Sequence, residues 1–285
     1  MYDQLQFVRE KQHAKAWATP NWPTTKQRIV DYRDNLTYKV VAFQFFWVGN
    51  RTKSTSLHRF PSDKMFIGHY AVGLAAKKFA PQASLGALMA APILLDLLWP
   101  VFLLLGWEHV SIVPNGNPFL RLQFDYYPIS HGLVAVIGWA TLYASIYFGV
   151  TRYLEGTIAI WIGVVSHWVM DYVVHLPDLP LAAKSRLVGF GLWNHRWFTI
   201  VLEVALFAVA IWTYQRETRA RDKIGLYAFL GFVALLLLAY GGAALGPPPP
   251  QSVKKLAGFA LVTCLAIPWA WWFDSHREPT RPERK

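Results

Sequence analysis

Six stretches of this sequence, each of roughly membrane-spanning length, are almost wholly apolar. A helix of about 20 residues is about 30 Å long, which matches the hydrocarbon core of a bilayer. Only 16% of the residues are charged, below the roughly 25% of soluble domains. The pattern therefore predicts an all-α, polytopic membrane bundle, because a helix satisfies its own backbone in lipid. The predicted spans are Ser84–Trp107, Ile129–Val150, Gly156–Val174, Trp197–Tyr214, Ile224–Leu245 and Leu256–Phe273.

The chain before the first span divides into two parts. Residues 1–64 are polar, basic and aromatic, and we predict a poorly ordered extension or a start codon placed upstream of the natural one. Met65–Ala80 is apolar but too short to span comfortably, so we predict a short interfacial or half-spanning helix. We expect residues 65–214 to form the domain that carries the functional site. Residues 215–285 add two further spans and a basic tail.

The formal net charge of +11 has a membrane explanation. The basic residues cluster in short segments beside the apolar runs, as topology requires, so we expect no nucleic-acid partner. Segments 215–223 and 274–285 are strongly basic and are predicted to be cytoplasmic. Segments 107–128 and 176–195 then face the outside. These features predict a multi-pass protein of the inner (plasma) membrane with a cytoplasmic C-terminus.

The stretch Ser166–His175 carries the strongest chemical signal. His167, Asp171 and His175 are four residues apart and share one helix face at the end of an apolar run. Such groups are costly in a membrane helix unless they bind something, and a divalent metal ion is the natural guest. Cys264 is the single cysteine, so a metal site must use histidine and carboxylate.

Further candidates lie on other segments. Asp96 and Glu203 are carboxylates inside apolar spans, where ionisable groups are usually functional. His69 and His131 lie near helix starts. The alternative is that Asp96 and the histidines make interhelical hydrogen bonds, and that Ser130, before His131, is a helix cap.

The motifs Gly68-His69, Asp96, Ser130-His131 and Ser166-His167-x-x-x-Asp171 resemble the YdjM-like inner-membrane metal-dependent hydrolases over about residues 65–214. That family is itself compared with the zinc-dependent phospholipase C fold. The resemblance implies a zinc centre in which Asp96 bridges two ions and Glu203 completes the ligand set. We predict catalytic roles for Asp96 and Glu203. Leu95-Asp96-Leu97 stands where the family often has Pro-Asp-x-Asp, which favours one or two ions. The implied metal ligands are His69, Asp96, His131, His167 and Asp171.

Three functions are compatible with these features. The first is a metal-dependent hydrolase, with zinc as the expected cofactor, that acts on a phosphoester or lipid-like substrate at the outer face of the membrane. The second is a transporter that moves protons or cations along Asp96 and Glu203. The third is a non-catalytic membrane scaffold. Membrane lipid is the expected partner in each case.

Overall fold

The computed structural model describes residues 67–113, 115–247 and 252–280. It confirms an all-α bundle with six helical segments long and apolar enough to cross a membrane. Predictions for residues 1–64 and for the last five residues lie outside the described chain. The helices are α1 (Ile67–Ala76), α2 (Leu85–Leu104), α3 (Leu133–Thr151), α4 (Leu154–Val174), α5 (Arg196–Glu217), α6 (Lys223–Leu245), α7 (Val253–Val262) and α8 (Ala266–Ser275), the last two joined by a 3₁₀ turn into one span.

Helix α2 is the centre of the bundle. It starts where the Ser84 hydroxyl accepts a hydrogen bond from the Ala87 N–H at 3.3 Å. Over half of its apolar window is buried in protein (56%), against 17% for α3, which therefore leaves most of its surface to lipid. Helices α1, α4, α7 and α8 all pack on α2. Asp96 thus lies on the helix that touches most of the others.

Helix α1 is a half-length helix buried inside the bundle. Its ten residues extend about 15 Å, half of the hydrocarbon core. It packs against α5, α2 and α4, and Ile67, His69 and Leu74 are at most 1% exposed. The half-spanning alternative fits this length, whereas its burial is inconsistent with a helix lying on the membrane surface.

Two glycines let α1 and α4 approach α2 closely. A Cβ atom on Gly73 would lie 2.9 Å from the Met89 sulphur. A Cβ atom on Gly163 would lie 2.9 Å from the Ala91 Cβ. Both distances are shorter than the normal contact distance of a Cβ atom, so a larger residue would not fit at either position. Small residues between membrane helices commonly allow such close packing. Gly73 and Gly163 are each four residues from a histidine of the candidate site, His69 and His167.

The two ends of the bundle are closed by short elements that the sequence did not predict. At one end, β1 (His109–Ile112) pairs antiparallel with β2 (Leu122–Tyr126), and β3 (Leu179–Pro180) pairs with β4 (Leu187–Val188). At the other end, β5 (Thr218–Ala220) pairs with β6 (Arg277–Pro279). These strand pairs order the loops that enter and leave the spans.

A buried ion pair ties Lys77, the residue after α1, to α8 at the β5–β6 end. The Lys77 ammonium lies 2.7 Å from the Asp274 carboxylate, which also accepts hydrogen bonds from the Leu85 N–H and the Tyr214 hydroxyl. The sequence pattern placed Lys77 among the basic residues flanking a span and Asp274 in the basic tail. Both side chains are in fact buried and paired.

The chain on both sides of residue 214 contributes to a common core. Ile67 of α1, Phe207 of α5, Phe229 of α6 and Phe273 of α8 belong to one buried cluster. The last two spans are therefore packed into the bundle that contains the candidate site. Apolar side chains on the outer surfaces, such as Leu238 at 74% exposure, are suited to lipid contact.

Candidate metal centre

Four segments bring histidine and aspartate side chains together at the end of the bundle that carries the β1–β2 hairpin. His69 comes from α1, Asp96 from α2, His131 from the turn before α3, and His167 with Asp171 from α4. Ligand atoms of two overlapping groups lie close enough to hold a metal ion: His69, His167 and Asp171, and Asp96, His131 and His167. All five side chains that the sequence singled out as ligands therefore converge.

Three of these groups form a closed triangle of donor atoms. His167 Nε2 lies 3.3 Å from His131 Nε2 and 3.1 Å from Asp171 Oδ2, and His131 Nε2 lies 3.7 Å from the same oxygen. Zinc bonds of about 2.0–2.1 Å place neighbouring ligands of a tetrahedron about 3.3 Å apart. The triangle is thus the size of one face of a tetrahedral zinc site.

The orientation of the His167 ring follows from one backbone contact. His167 Nδ1 lies 2.6 Å from the Pro92 carbonyl oxygen, which can only accept, so Nδ1 carries the proton. In the neutral ring, Nε2 then presents its lone pair to His131 and Asp171. A carbonyl that holds the remote nitrogen of a histidine is the usual support of a metal-binding ring.

His69 and Asp96 lie next to this triangle. His69 Nε2 lies 3.3 Å from Asp171 Oδ1, the oxygen outside the triangle, and the His69 ring stacks on that of His167 at 3.8 Å between centroids. Asp96 Oδ1 lies 4.0 Å from His131 Nε2. The Asp96 side chain is 19% exposed and the Asp171 side chain is 5% exposed, so Asp96 is the more accessible carboxylate of the site.

His175 stands at the edge of the cluster with a carboxylate behind it. Its Nε2 is 4.0 Å from Asp171 Oδ2, and its Nδ1 is 3.0 Å from Asp178 Oδ1. Burial lowers the pKa of His175, but the neighbouring carboxylates of Asp178 and Asp171 raise it, and the net shift is upward. The sequence placed His175 on the helix face of His167 and Asp171; the structure pairs it in addition with Asp178, beside the site.

The backbone around His175 is held by the connector that follows α4. The Gly191 N–H donates to the His175 carbonyl and the Phe190 N–H donates to the Tyr172 carbonyl, both at 2.7 Å. Gly189 has a φ of 156°, and a Cβ atom there would overlap the Leu176 carbonyl. The connector thus caps the C-terminus of α4, and a glycine is needed at the point of closest approach.

Four of the five proposed ligands, all but His167, line a cavity of about 10 Å³, which is about the room that one water molecule needs. Aromatic rings form part of its wall: the Trp193 ring lies 4.1 Å from His175, and Phe124 lies 4.9 Å from it. The cavity has the size of a bound ion or water. Its lining consists of His69, Asp96, Phe124, His131, Asp171, His175 and Trp193.

Glu203, a candidate from the sequence, lies elsewhere, and so does His195. Glu203 is fully buried, and its Oε2 accepts a hydrogen bond from the Gly68 N–H at 3.3 Å; it belongs to neither group of ligand atoms. His195 is the N-cap residue of α5 and lines a different, open cavity with Arg196. Glu203 thus supports the helix that carries His69, while the donors come from other residues.

Several contributors were missed by sequence reasoning. The Pro92 carbonyl is invisible to any motif because it is backbone. Tyr127, whose hydroxyl lies 3.4 Å from His175 Nδ1, and Glu108, which contacts Ser130, are in a segment interpreted as a loop. Glu108 is the single acidic residue between Asp96 and Asp125, which was a usable signal. Burial raises the pKa of Tyr127 well above its ordinary value, so it remains a neutral phenol.

No protein-family model, curated protein or solved structure matches this chain. The resemblance to the YdjM-like hydrolases rests on the quoted motifs.

Proposed function

We propose that this protein is a membrane-embedded, metal-dependent hydrolase related to the YdjM-like family. The observation that carries the proposal is the triangle of His131 Nε2, His167 Nε2 and Asp171 Oδ2, with edges of 3.1–3.7 Å. Three buried donor atoms this close together repel one another unless a proton or a metal ion lies between them, and the proposal assigns that place to a metal ion. His69 and Asp96 complete the proposed ligand set.

Zinc is the metal that suits these donors best. Imidazole and carboxylate ligands at tetrahedral spacing are typical of catalytic zinc sites, which keep a position open for water. When bound, zinc supplies Lewis acidity and lowers the pKa of a water molecule to about 7. The partly exposed Asp96 lies where a substrate would enter, and it is placed to orient a water or to ligate the ion.

The His175–Asp178 pair supplies a group for proton transfer. With Nδ1 held by the Asp178 carboxylate at 3.0 Å, His175 Nε2 faces the cavity. A histidine oriented by a carboxylate can take a proton at Nε2 from a water and return it to a leaving group. In the proposal, His175 is the acid–base residue and Asp178 fixes its ring.

A phosphoester with a lipid-like body is the proposed substrate class. The site lies at one end of the bundle, so a substrate in the adjoining leaflet can reach it by lateral diffusion. The opposite end carries the basic segment 215–223 and the described start of the basic tail, residues 274–280, and the positive-inside rule assigns basic segments to the cytoplasm. We therefore place the site at the outer face of the inner membrane and the C-terminus in the cytoplasm.

The size of the cavity and the positions of Asp96 and Glu203 favour a hydrolase over a transporter. Its volume of about 10 Å³ suits a single ion or water held by the donors. The two carboxylates that a cation route would use are in different environments, since Asp96 faces the cavity and Glu203 holds the N-terminus of α1.

The test is metal analysis of the protein purified in detergent, followed by hydrolysis of a chromogenic phosphodiester. We expect about one zinc per chain, and its loss in the His167→Ala/Asp171→Ala double variant. A matched control is His276→Ala/Asp222→Ala, which removes another contacting His–Asp pair, 2.6 Å apart at the opposite end. Metal-free wild-type protein, or equal metal in both double variants, overturns the proposal. Cation uptake into proteoliposomes that depends on Asp96 without bound metal would establish the transporter instead.

A further inference from the structure

Glu108 makes a dense set of contacts for a residue in a connecting segment. It is 1% exposed and lies between the end of α2 and β1. Its Oε1 accepts the N–H groups of Ile129 at 2.8 Å and Ser130 at 2.7 Å, and its Oε2 lies 2.6 Å from the Ser130 hydroxyl. A buried carboxylate with three donors is fully engaged with the turn that carries His131.

Ser130 connects this carboxylate to the candidate metal centre. Its hydroxyl oxygen lies 2.7 Å from His131 Nδ1, and His131 Nε2 is a corner of the donor triangle. Ser130 is not the cap of α3, since that position belongs to Gly132. The side chains of Glu108, Ser130 and His131 therefore form a continuous hydrogen-bonded chain that ends at the metal site.

The direction of each hydrogen bond between Glu108, Ser130 and His131 follows from which groups carry a proton. An ionised carboxylate only accepts, so the single Ser130 proton points to Glu108. The Ser130 oxygen can then only accept from His131, which places the ring proton on Nδ1 and the lone pair on Nε2. His131 thus reaches the same tautomer that the Pro92 carbonyl imposes on His167. Without this fixation, the proton of a neutral His131 is free to occupy Nε2 and face the metal position.

We infer that Glu108 is a positioning residue of the metal centre, which acts through Ser130 to hold His131 in its metal-binding tautomer and orientation. This inference rests on the proposed metal function. Residues that support a ligand in this way typically change metal affinity about 10- to 100-fold when they are replaced. The contribution should appear in metal binding, independently of turnover.

Replacement of Glu108 by glutamine tests the direction of these hydrogen bonds. The two backbone N–H groups need an oxygen, so the introduced amide is forced to present its NH₂ group to Ser130. Ser130 must then accept from the amide and donate to His131 Nδ1, which moves the imidazole proton to Nε2. Glu108→Gln keeps the shape and the backbone contacts while it reverses the hydrogen bonds.

The experiment is a competition titration of Zn²⁺ against a chromogenic chelator, with the full chain in detergent. We expect Glu108→Gln and Ser130→Ala to weaken zinc binding about 10- to 100-fold. Ser130→Thr, which keeps the hydroxyl, should restore most of the affinity. The control Ser166→Ala removes the serine before His167, whose hydroxyl contacts the Gly163 carbonyl, and should bind like wild type. Glu155→Gln controls for loss of an exposed acid.

The outcomes separate the two proposals. Wild-type affinity in both Glu108→Gln and Ser130→Ala, with zinc still bound by the wild type and controls, overturns the positioning role and leaves the metal function standing. If the wild-type chain takes up no zinc, both proposals fail. Should Ser130→Ala not fold, Glu108→Gln decides the question, because it preserves the volume and the two backbone hydrogen bonds of the turn.

Discussion

Glu203 accepts a hydrogen bond from the backbone N–H of Gly68 at 3.3 Å, and the residue after Gly68 is His69. Gly68 lies in the first turn of α1, where N–H groups have no partner within the helix. A buried carboxylate at this end also interacts favourably with the helix dipole. The contact fixes the start of α1 and hence the position of His69.

This contact predicts that Glu203 matters for stability more than for chemistry. Glu203→Ala leaves the Gly68 N–H buried without its acceptor and should lower the free energy of unfolding by about 1–3 kcal/mol. Glu203→Gln keeps an acceptor oxygen and should lose less. Unfolding of the detergent-solubilised variants by heat measures both, with Glu155→Ala as an exposed control. A Glu203→Gln variant that is stable, binds zinc and is inactive would support the catalytic role that the sequence predicts for Glu203.

The Lys77–Asp274 pair predicts a large effect on stability far from the site. Because both side chains are buried, removal of either leaves an uncompensated charge and should cost about 3–5 kcal/mol. The double variant Lys77→Met/Asp274→Leu should recover much of the loss. Unfolding of the two single variants and the double variant gives the coupling energy. Independent, additive losses would contradict the pairing, while zinc affinity should be unchanged in the folded variants.

The close approach at Gly163 predicts that added volume disturbs the metal centre. Gly163→Val would force α4 away from Ala91 and Pro92 of α2, and overpacking of this kind costs about 1–3 kcal/mol. Since His167 lies one turn further along α4, zinc affinity should fall as well. Gly138→Val is the matched control, because nothing lies within 4 Å of that position in α3. Equal zinc affinity in the two variants would argue against the spacing role.

The place of His175 beside the triangle predicts a separation of binding from turnover. His175→Ala should keep zinc within a few-fold of wild type and lower kcat about 10²- to 10⁴-fold, the usual contribution of an acid–base group. Asp178→Asn should lower kcat in the same sense by loosening the ring. His131→Ala should lose zinc itself. Loss of zinc in His175→Ala would make His175 a ligand instead.

The sequence could predict features that depend on neighbours along the helix. Apolar runs of spanning length revealed the bundle, and His167 with Asp171 was recognisable from a separation of one turn. Lys77 was grouped with the basic residues that flank a span, and its partner Asp274 could not be recognised because it is 197 residues away. Glu108 was missed for the same reason: its burial depends on how the β1–β2 hairpin folds the segment back onto Ser130. The sequence predicts a catalytic role for Glu203 because an acid in a span is costly, and it cannot show that this carboxylate also accepts a hydrogen bond from a helix start.

The spacing of the ligands along the chain has a consequence for biogenesis. Helix α4 brings His167 and Asp171 within 3.1 Å as soon as it is helical, so a nascent chain already offers two donors. His131, Asp96 and His69 arrive only when the turn before α3, the central helix and the buried half-length helix have packed. Under the proposed metal function, an ion captured early would therefore be held loosely, and tight retention would report a completed bundle. The centre would act as a checkpoint of membrane assembly, binding firmly only to chains whose first four helices are in place.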